Sequence, residues 1–387
     1  MSTNPLVELT RLGQSIWYDN IERRLITSGE LKRMIDEDDL RGVTSNPAIF
    51  EKAISSSDEY VSQIAELAAQ EKGALEIYEA LAIRDIQGAT DLFAPVFEKT
   101  KGLDGYVSLE CSPFLANDTA GTIEEARRLW RAVDRKNVMI KIPGTPAGMP
   151  AIEQCIYEGI NINVTLLFSL ESYERTIDAY LNGLNRRLSE GKPIEHIASV
   201  ASFFVSRIDT AVDKRLEELI ARAEDKETKA RLQSLLGRVA IANAKLAYRI
   251  YKSVFHGERF AALKAAGAMV QRPLWASTSV KNPAYGDVYY VEALIGPETI
   301  NTLPPATFVA FRDHGRVRIT IEDNLEEEQA ILERLEAVEI RLADVTTKVL
   351  EDGVRLFVEP FEKLLAAIEK RRAELLGQQG ASQATQK

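Results

Sequence analysis

The sequence predicts an α/β fold: a (β/α)8, or TIM, barrel with extra helices, including an added C-terminal helical segment. Two observations carry this. Short β-like runs alternate with longer helix-like runs, the pattern of α/β folds. Several β-like runs also have one apolar face and one face bearing polar groups near the C-terminal end. A closed barrel accounts for both faces, since the apolar one packs on outer helices and the polar one lines the mouth. An open, doubly wound sheet buries both faces and shows apolar runs without this pattern. No GxGxxG follows a strand, so no dinucleotide site is indicated.

The strand candidates are 15–19 (SIWYD), 42–46 (GVTSN), 106–110 (YVSLE), 138–143 (VMIKIP), 162–168 (INVTLLF) and 199–205 (SVASFFV), with weaker runs at 272–277 and 298–303. Between them, Ser56 precedes Glu59 at a capping-box spacing, and Val61, Ile64, Leu67 and Ala68 predict a helix over 56–68. The stretch 51–105 exceeds one crossover helix and predicts two or more helices decorating the barrel. Residues 124–133 predict one helix and 206–256 two. Leu335, Val338, Leu342, Val345 and Val349 recur at three and four, as on one amphipathic helix, and Gly353 and Pro360 punctuate the chain before another at 361–376. The expected organisation is one domain over 1–376, with C-terminal helices over about 324–376 and a polar, disordered tail at 377–387.

The formal net charge of −10 repels nucleic acid and anionic membrane, so neither is an expected partner. An anionic small substrate would need a local cationic pocket. Two cysteines, Cys111 and Cys155, lie among apolar residues and indicate no disulfide framework or zinc site. The N-terminus lacks the pattern of a secretory signal, and no apolar run approaches 18 residues. A cytoplasmic enzyme fits these features.

Strand alternation sorts the polar residues. Lys141 shares a face with Met139 and Pro143, Glu110 with Ser108, and Thr165 with Asn161 and Asn163. Asp19 and Asn46 end their runs. A lysine in mid-strand is commonly an edge residue pointing to water. Beside Glu110, Asp19 and Asn163 in one predicted mouth, it reads instead as a nucleophile. Burial disfavours a charged amine, and attack on a carbonyl needs the neutral form. Each partner has a plainer reading: Glu110 as an ion-pair partner, Asp19 as a helix cap, Asn46 as turn chemistry before Pro47, Thr165 as a β-former. Their common location sets these aside jointly. The histidines, His196, His256 and His314, are scattered outside the strand ends, and no metal site is expected.

At these residues the sequence resembles the transaldolase family. GVTSNPAIF (42–50) is similar to its second-strand motif, with Thr44, Asn46 and Pro47 in place. VMIKIPGTPAGMPAI (138–152) resembles its Schiff-base lysine motif, GININVTLLFS (159–169) the motif on the next strand, and SFFVSRID (202–209) a serine-and-arginine motif after the sixth. The resemblance runs from about residue 10 to residue 310, and the helical C-terminal part suits the family's longer branch.

The resemblance implies a cofactor-free enzyme of the non-oxidative pentose phosphate pathway. It would move a dihydroxyacetone unit from sedoheptulose 7-phosphate to glyceraldehyde 3-phosphate. Lys141 would form the imine, Asp19 would take the proton of the donor's C4 hydroxyl, and Glu110 would handle protons through a water held by Thr165. Thr44, Asn46 and Asn163 would bind the dihydroxyacetone fragment, with Ser202 and Arg207 on the phosphate. The family's second phosphate arginine, in a Ser-x-Arg motif, has here only Ser279-Val280-Lys281, with Ser277 competing for the serine. Lysine is a point charge in place of a bidentate fork.

A related aldolase that cleaves fructose 6-phosphate and releases dihydroxyacetone stays open at this point, as does a catalytically silent barrel that only binds. Monomer and homodimer are equally open.

Overall fold

The computed structural model describes residues 4–384, with side chains through 377. Eight strands, β1 (Gln14–Tyr18), β2 (Gly42–Val43), β3 (Tyr106–Glu110), β4 (Val138–Pro143), β5 (Ile162–Leu167), β6 (Ser199–Phe204), β7 (Arg272–Ala276) and β8 (Thr299–Leu303), close into a barrel in chain order. Every neighbouring pair is parallel, and β8 returns to β1. All eight runs expected from the sequence become strands. The largest change is at β2, where the chain leaves the sheet after Val43 so that Asn46 can cap a helix at Pro47–Ser56.

Gly42 is required where it stands. A Cβ there would lie 2.6 Å from the buried Trp17 ring, which fills the barrel between β1 and β2. Cys111 and Cys155 are both buried free thiols.

The helices depart from expectation in four places. Ser56 caps nothing: its hydroxyl donates back to the Lys52 carbonyl within the preceding helix, and Ser57 accepts from the Glu59 N–H instead. The stretch 206–256 holds three helices, Ser206–Arg222, Lys226–Gln233 and Val239–Phe255, because Asp225 starts a short middle one by capping Thr228. The stripe from Leu335 to Val349 is split between Leu325–Ala337 and Leu342–Ala384. Glu339 turns the chain with φ +64° while Ile340 stays in the core, so the apolar spacing continues across a break that periodicity does not see.

The fourth departure is that helix Leu342–Ala384 passes through both Gly353 and Pro360. Proline removes one N–H from the ladder, yet Phe357 and Phe361 on either side are buried and hold the helix down. The same helix carries the backbone through 377–384, where composition suggested disorder; residues 385–387 lie outside the described residues. No helix among the described residues is long and apolar enough to cross a membrane.

An ion pair closes the N-terminal end of the barrel. Arg272, at the start of β7, donates to Asp104 Oδ1 at 2.8 Å and to Ser15 Oγ at 2.9 Å. Ser15 in turn donates to Asp104 Oδ2 at 2.8 Å. Arg272 and Asp104 are 4% and 1% exposed, so neither charge has water to fall back on. Removing one partner of such a pair strands the other. Asp104→Ala should therefore lower unfolding free energy by about 3–5 kcal/mol, read from urea denaturation. A loss below roughly 1 kcal/mol, the size of an exposed pair, would show that solvent reaches Arg272 after all.

Candidate active site

Register builds the other end of the barrel. β3 and β4 pair Glu110 with Lys141, and β4 and β5 pair Lys141 with Asn163. These three side chains stand side by side in one layer on adjacent strands. Lys141 is 5% exposed; its Nζ donates to the Ser45 carbonyl at 2.8 Å and lies 3.5 Å from Glu110 Oε2. The short β2 is what brings the Ser45 carbonyl under the amine, and Ser45 is itself tied to the Ser108 carbonyl through its hydroxyl.

Burial pushes the Glu110 carboxyl up to about 7 from the usual carboxylate range, with Lys141 opposing the shift. Glu110 Oε2 is buried and has no hydrogen-bond partner among the described residues. Asp19, just after β1, is also raised by burial, opposed by Lys141, by its hydrogen bond and by Arg207. It accepts from Thr44 Oγ1 at 2.6 Å, and Thr44 lies 2.7 Å from Thr302 Oγ1. Thr44 has one proton, so a Thr44 that donates to Asp19 must accept from Thr302.

Asn163 is fixed from both sides. Its Nδ2 donates to Ser108 Oγ at 3.1 Å, and its Oδ1 accepts from Ser202 Oγ at 2.7 Å. Ser202 therefore orients Asn163, a different use of its hydroxyl from the phosphate contact expected from the sequence. Thr165 Oγ1 is buried and unpartnered, beside a bulge at Leu166 whose φ is +59°. Arg207 opens the helix after β6 and lies over the Phe204 ring at 5.3 Å. Its pKa is lowered by burial, with Asp19 and Glu110 opposing, and its Nη1 is buried without a hydrogen-bond partner among the described residues.

Asn46 serves the chain as well as the site. Its Oδ1 accepts from the Ile49 N–H at 3.0 Å as a helix cap, and its Nδ2 makes no hydrogen bond among the described residues. The loop after β7 gives a mixed outcome. Lys281 is exposed, and no hydrogen bond or ion pair among the described residues joins it or Ser279 to the other site groups. Ser277 instead lies 3.0 Å from Ser206, the neighbour of Arg207.

Sequence reasoning missed Thr302, the Ser45 carbonyl, Ser108 and Phe357, whose ring centroid is 6.0 Å from Lys141 Nζ. Alternation along the run 298–303 could have found Thr302. Nothing local marks Phe357, which reaches the mouth from a helix more than 200 residues away in sequence. His256 and His314 lie on the surface, paired with Glu298 and Asp287. Among the described residues no three His, Cys, Asp or Glu are grouped to hold a metal.

A buried amine, two carboxyls raised by burial and several polar atoms without hydrogen bonds among the described residues meet at the C-terminal end of the barrel, an arrangement that can serve covalent chemistry on a carbonyl. A family profile described as Transaldolase/Fructose-6-phosphate aldolase matches residues 16–368. The chain is 50% identical over 377 residues to a protein of Trichodesmium erythraeum named Transaldolase, covering 97% of this chain and 99% of that one. It is 49% identical to Transaldolase 2 of Nostoc sp., covering 95% and 98%, and 47% identical to a Transaldolase of Thiobacillus denitrificans, covering 93% and 98%.

The Glu110 carboxyl gives a pH prediction. Its folded pKa of about 7 exceeds its ordinary 4.5, so the folded state holds this proton longer and loses stability as pH rises between those values. Glutamine has no such loss. Relative to the natural chain, Glu110→Gln should gain up to about 3 kcal/mol between about pH 5 and about pH 8. The comparison is of melting temperatures at the two pH values, and an identical difference at both would contradict the burial argument.

Proposed function

The chain belongs to the transaldolase/fructose-6-phosphate aldolase family, and from that premise we propose that Lys141 is the amine through which it works as a transaldolase. A dihydroxyacetone unit passes from sedoheptulose 7-phosphate to glyceraldehyde 3-phosphate, giving erythrose 4-phosphate and fructose 6-phosphate. The setting is cytoplasmic and the substrates are sugar phosphates. The observation that carries the reading is the Lys141 amine, 5% exposed and 3.5 Å from Glu110, with Asp19 in the same mouth.

Breaking a C–C bond β to a carbonyl needs an electron sink, and a protonated imine is one. Neutral Nζ adds to the donor's C2 carbonyl. Glu110, through a water held with Thr165, supplies the proton with which the carbinolamine oxygen leaves as water. Asp19 takes the C4 hydroxyl proton as the C3–C4 pair moves into the imine, and the aldehyde departs. The enamine stays bonded to Lys141, with Asn163 and the Asn46 amide nitrogen on its hydroxyls. Attack on the acceptor aldehyde forms the new bond, Asp19 returns its proton to the alkoxide, and water releases the product.

The polar atoms suit those steps. Thr165 Oγ1 and Glu110 Oε2 make no hydrogen bond among the described residues and can hold a water beside the Lys141 amine. Burial raises Asp19 and readies it to take a proton, while the Thr302–Thr44 chain directs a donor at it that opposes the rise. Ser202 fixes Asn163, and Arg207 takes the phosphate, with Ser279 and Lys281 available from the loop after β7.

Borohydride treatment in fructose 6-phosphate should leave a reduced three-carbon fragment on Lys141, located by peptide mass spectrometry. No adduct on any lysine at saturating ketose would remove the covalent mechanism. Asp19→Ala should retain imine formation but lose roughly 10²–10⁴-fold in transfer; undiminished transfer would sink the role given to Asp19. Fructose 6-phosphate consumption should depend on added erythrose 4-phosphate, and equal consumption without it would indicate a lyase.

A further inference from the structure

Two groups of the mouth stand just beyond the strands that carry them. Asp19 follows the last residue of β1, and Thr44 follows the two-residue β2. Their backbones are tied to the barrel: the Asp19 N–H donates to the Leu303 carbonyl at 2.9 Å, and the Thr44 N–H to the Tyr18 carbonyl at 2.9 Å. Neither bond fixes a side chain. Thr302 differs from both, because it lies within β8, paired in register with Trp17 of β1.

The Thr302 hydroxyl lies 2.7 Å from that of Thr44, which donates to Asp19 Oδ1 at 2.6 Å. Thr302 and Thr44 are 3% and 2% exposed, so bulk water does not compete for these bonds. The one proton of Thr44 goes to Asp19, and the bond from Thr302 holds the oxygen that carries it. Hydrogen bonds in such a chain strengthen one another. No hydrogen bond among the described residues falls on Asp19 Oδ2. With Oδ1 tied to Thr44, that second oxygen is the one left to meet a substrate hydroxyl.

We propose that Thr302 is a positioning residue for bond cleavage: through the Thr44 hydroxyl it fixes the plane of the Asp19 carboxyl, so that Oδ2 faces the C4 hydroxyl of the donor. The inference rests on the base role given to Asp19 above, and it adds β8 to the strands that set the reaction's geometry. Lys141 and Glu110 do not depend on this chain, since Lys141 is held by the Ser45 carbonyl and by Glu110 itself. Loss of the Thr302 hydroxyl therefore spares imine formation and slows C3–C4 cleavage.

The test mixes full-length protein with fructose 6-phosphate in the absence of acceptor and quenches with borohydride at successive times. Peptide mass spectrometry then identifies the adduct on Lys141. A six-carbon adduct is the imine before cleavage, and a three-carbon adduct is the fragment left after it. Four proteins are compared: the natural chain, Thr302→Ala, Thr302→Ser and Asp19→Ala. Alanine and serine at this position differ only in the hydroxyl. Thr302→Ala should form total adduct as fast as the natural chain but convert six-carbon to three-carbon adduct roughly 10–100-fold more slowly, the size of effect expected from a misplaced catalytic group. Thr302→Ser should recover most of the natural rate. Conversion at the natural rate in Thr302→Ala overturns the proposal. Equal slowing in both Thr302 variants overturns it too, since the lost methyl would then matter and not the hydroxyl. So does a fall in total adduct with conversion unchanged, the mark of a loosened site. Natural conversion in Asp19→Ala overturns the base role of Asp19 and this proposal with it, while the Lys141 reading stands as long as adduct forms.

Discussion

Everything at the mouth depends on holding one lysine amine out of water without leaving it unpaired. An isolated ammonium in a barrel interior is prohibitively costly. Lys141 is kept there by the Ser45 carbonyl at 2.8 Å and the Glu110 carboxylate at 3.5 Å. Both partners are consequences of barrel geometry. The β3–β4 register puts Glu110 directly beside Lys141, and the early exit of β2 turns the Ser45 carbonyl toward the amine. A closed sheet gives each of these groups a single position, so the chemistry inherits the precision of the strand ladder.

The two ends of the barrel handle charge in opposite ways. At the floor, Arg272, Asp104 and Ser15 satisfy one another in a closed ring of hydrogen bonds. At the mouth, Glu110 Oε2, Thr165 Oγ1 and Arg207 Nη1 are buried and make no hydrogen bond among the described residues, Glu110 having only its ion pair with Lys141. Buried polar groups are usually hydrogen-bonded, and exceptions call for an explanation. Other such atoms are scattered over the described residues, Gln14 Oε1 and Gln271 Oε1 at the floor among them, but these three face one mouth, and each is an atom that a sugar phosphate or a water could engage. The floor contributes stability; the mouth keeps its capacity for hydrogen bonding in reserve.

The sequence made the barrel legible because the inward strand positions carry the polar residues. Alternation placed Lys141, Glu110, Asn163 and Thr165 on polar strand faces and the end of its run placed Asp19, and only their common mouth, not any one position, singled them out. What was not readable depends on tertiary direction. Ser202 lies on an inward position like the others, but only the packed barrel shows that its hydroxyl meets Asn163. The split near Glu339 is hidden because a short turn preserves apolar spacing while changing the helix axis. Phe357 was invisible as a site residue, since it reads as an ordinary apolar position until the last helix is laid across the mouth.

The two carboxylates show why similar groups take different parts. Both are raised by burial, and both feel Lys141 and Arg207. They differ in hydrogen bonding. Asp19 receives the Thr44 hydroxyl, backed by Thr302, and a donor aimed at a carboxylate favours its ionised form. That suits a group that must accept an alcohol proton as a bond breaks. Glu110 faces only the Lys141 amine, at 3.5 Å, and has a pKa of about 7, where it gains and loses a proton with little driving force in either direction. That suits imine formation and hydrolysis, which need the same proton delivered and then recovered. What distinguishes the two carboxyls is therefore the partner each faces: a relayed hydroxyl pair at Asp19 and the lysine amine at Glu110.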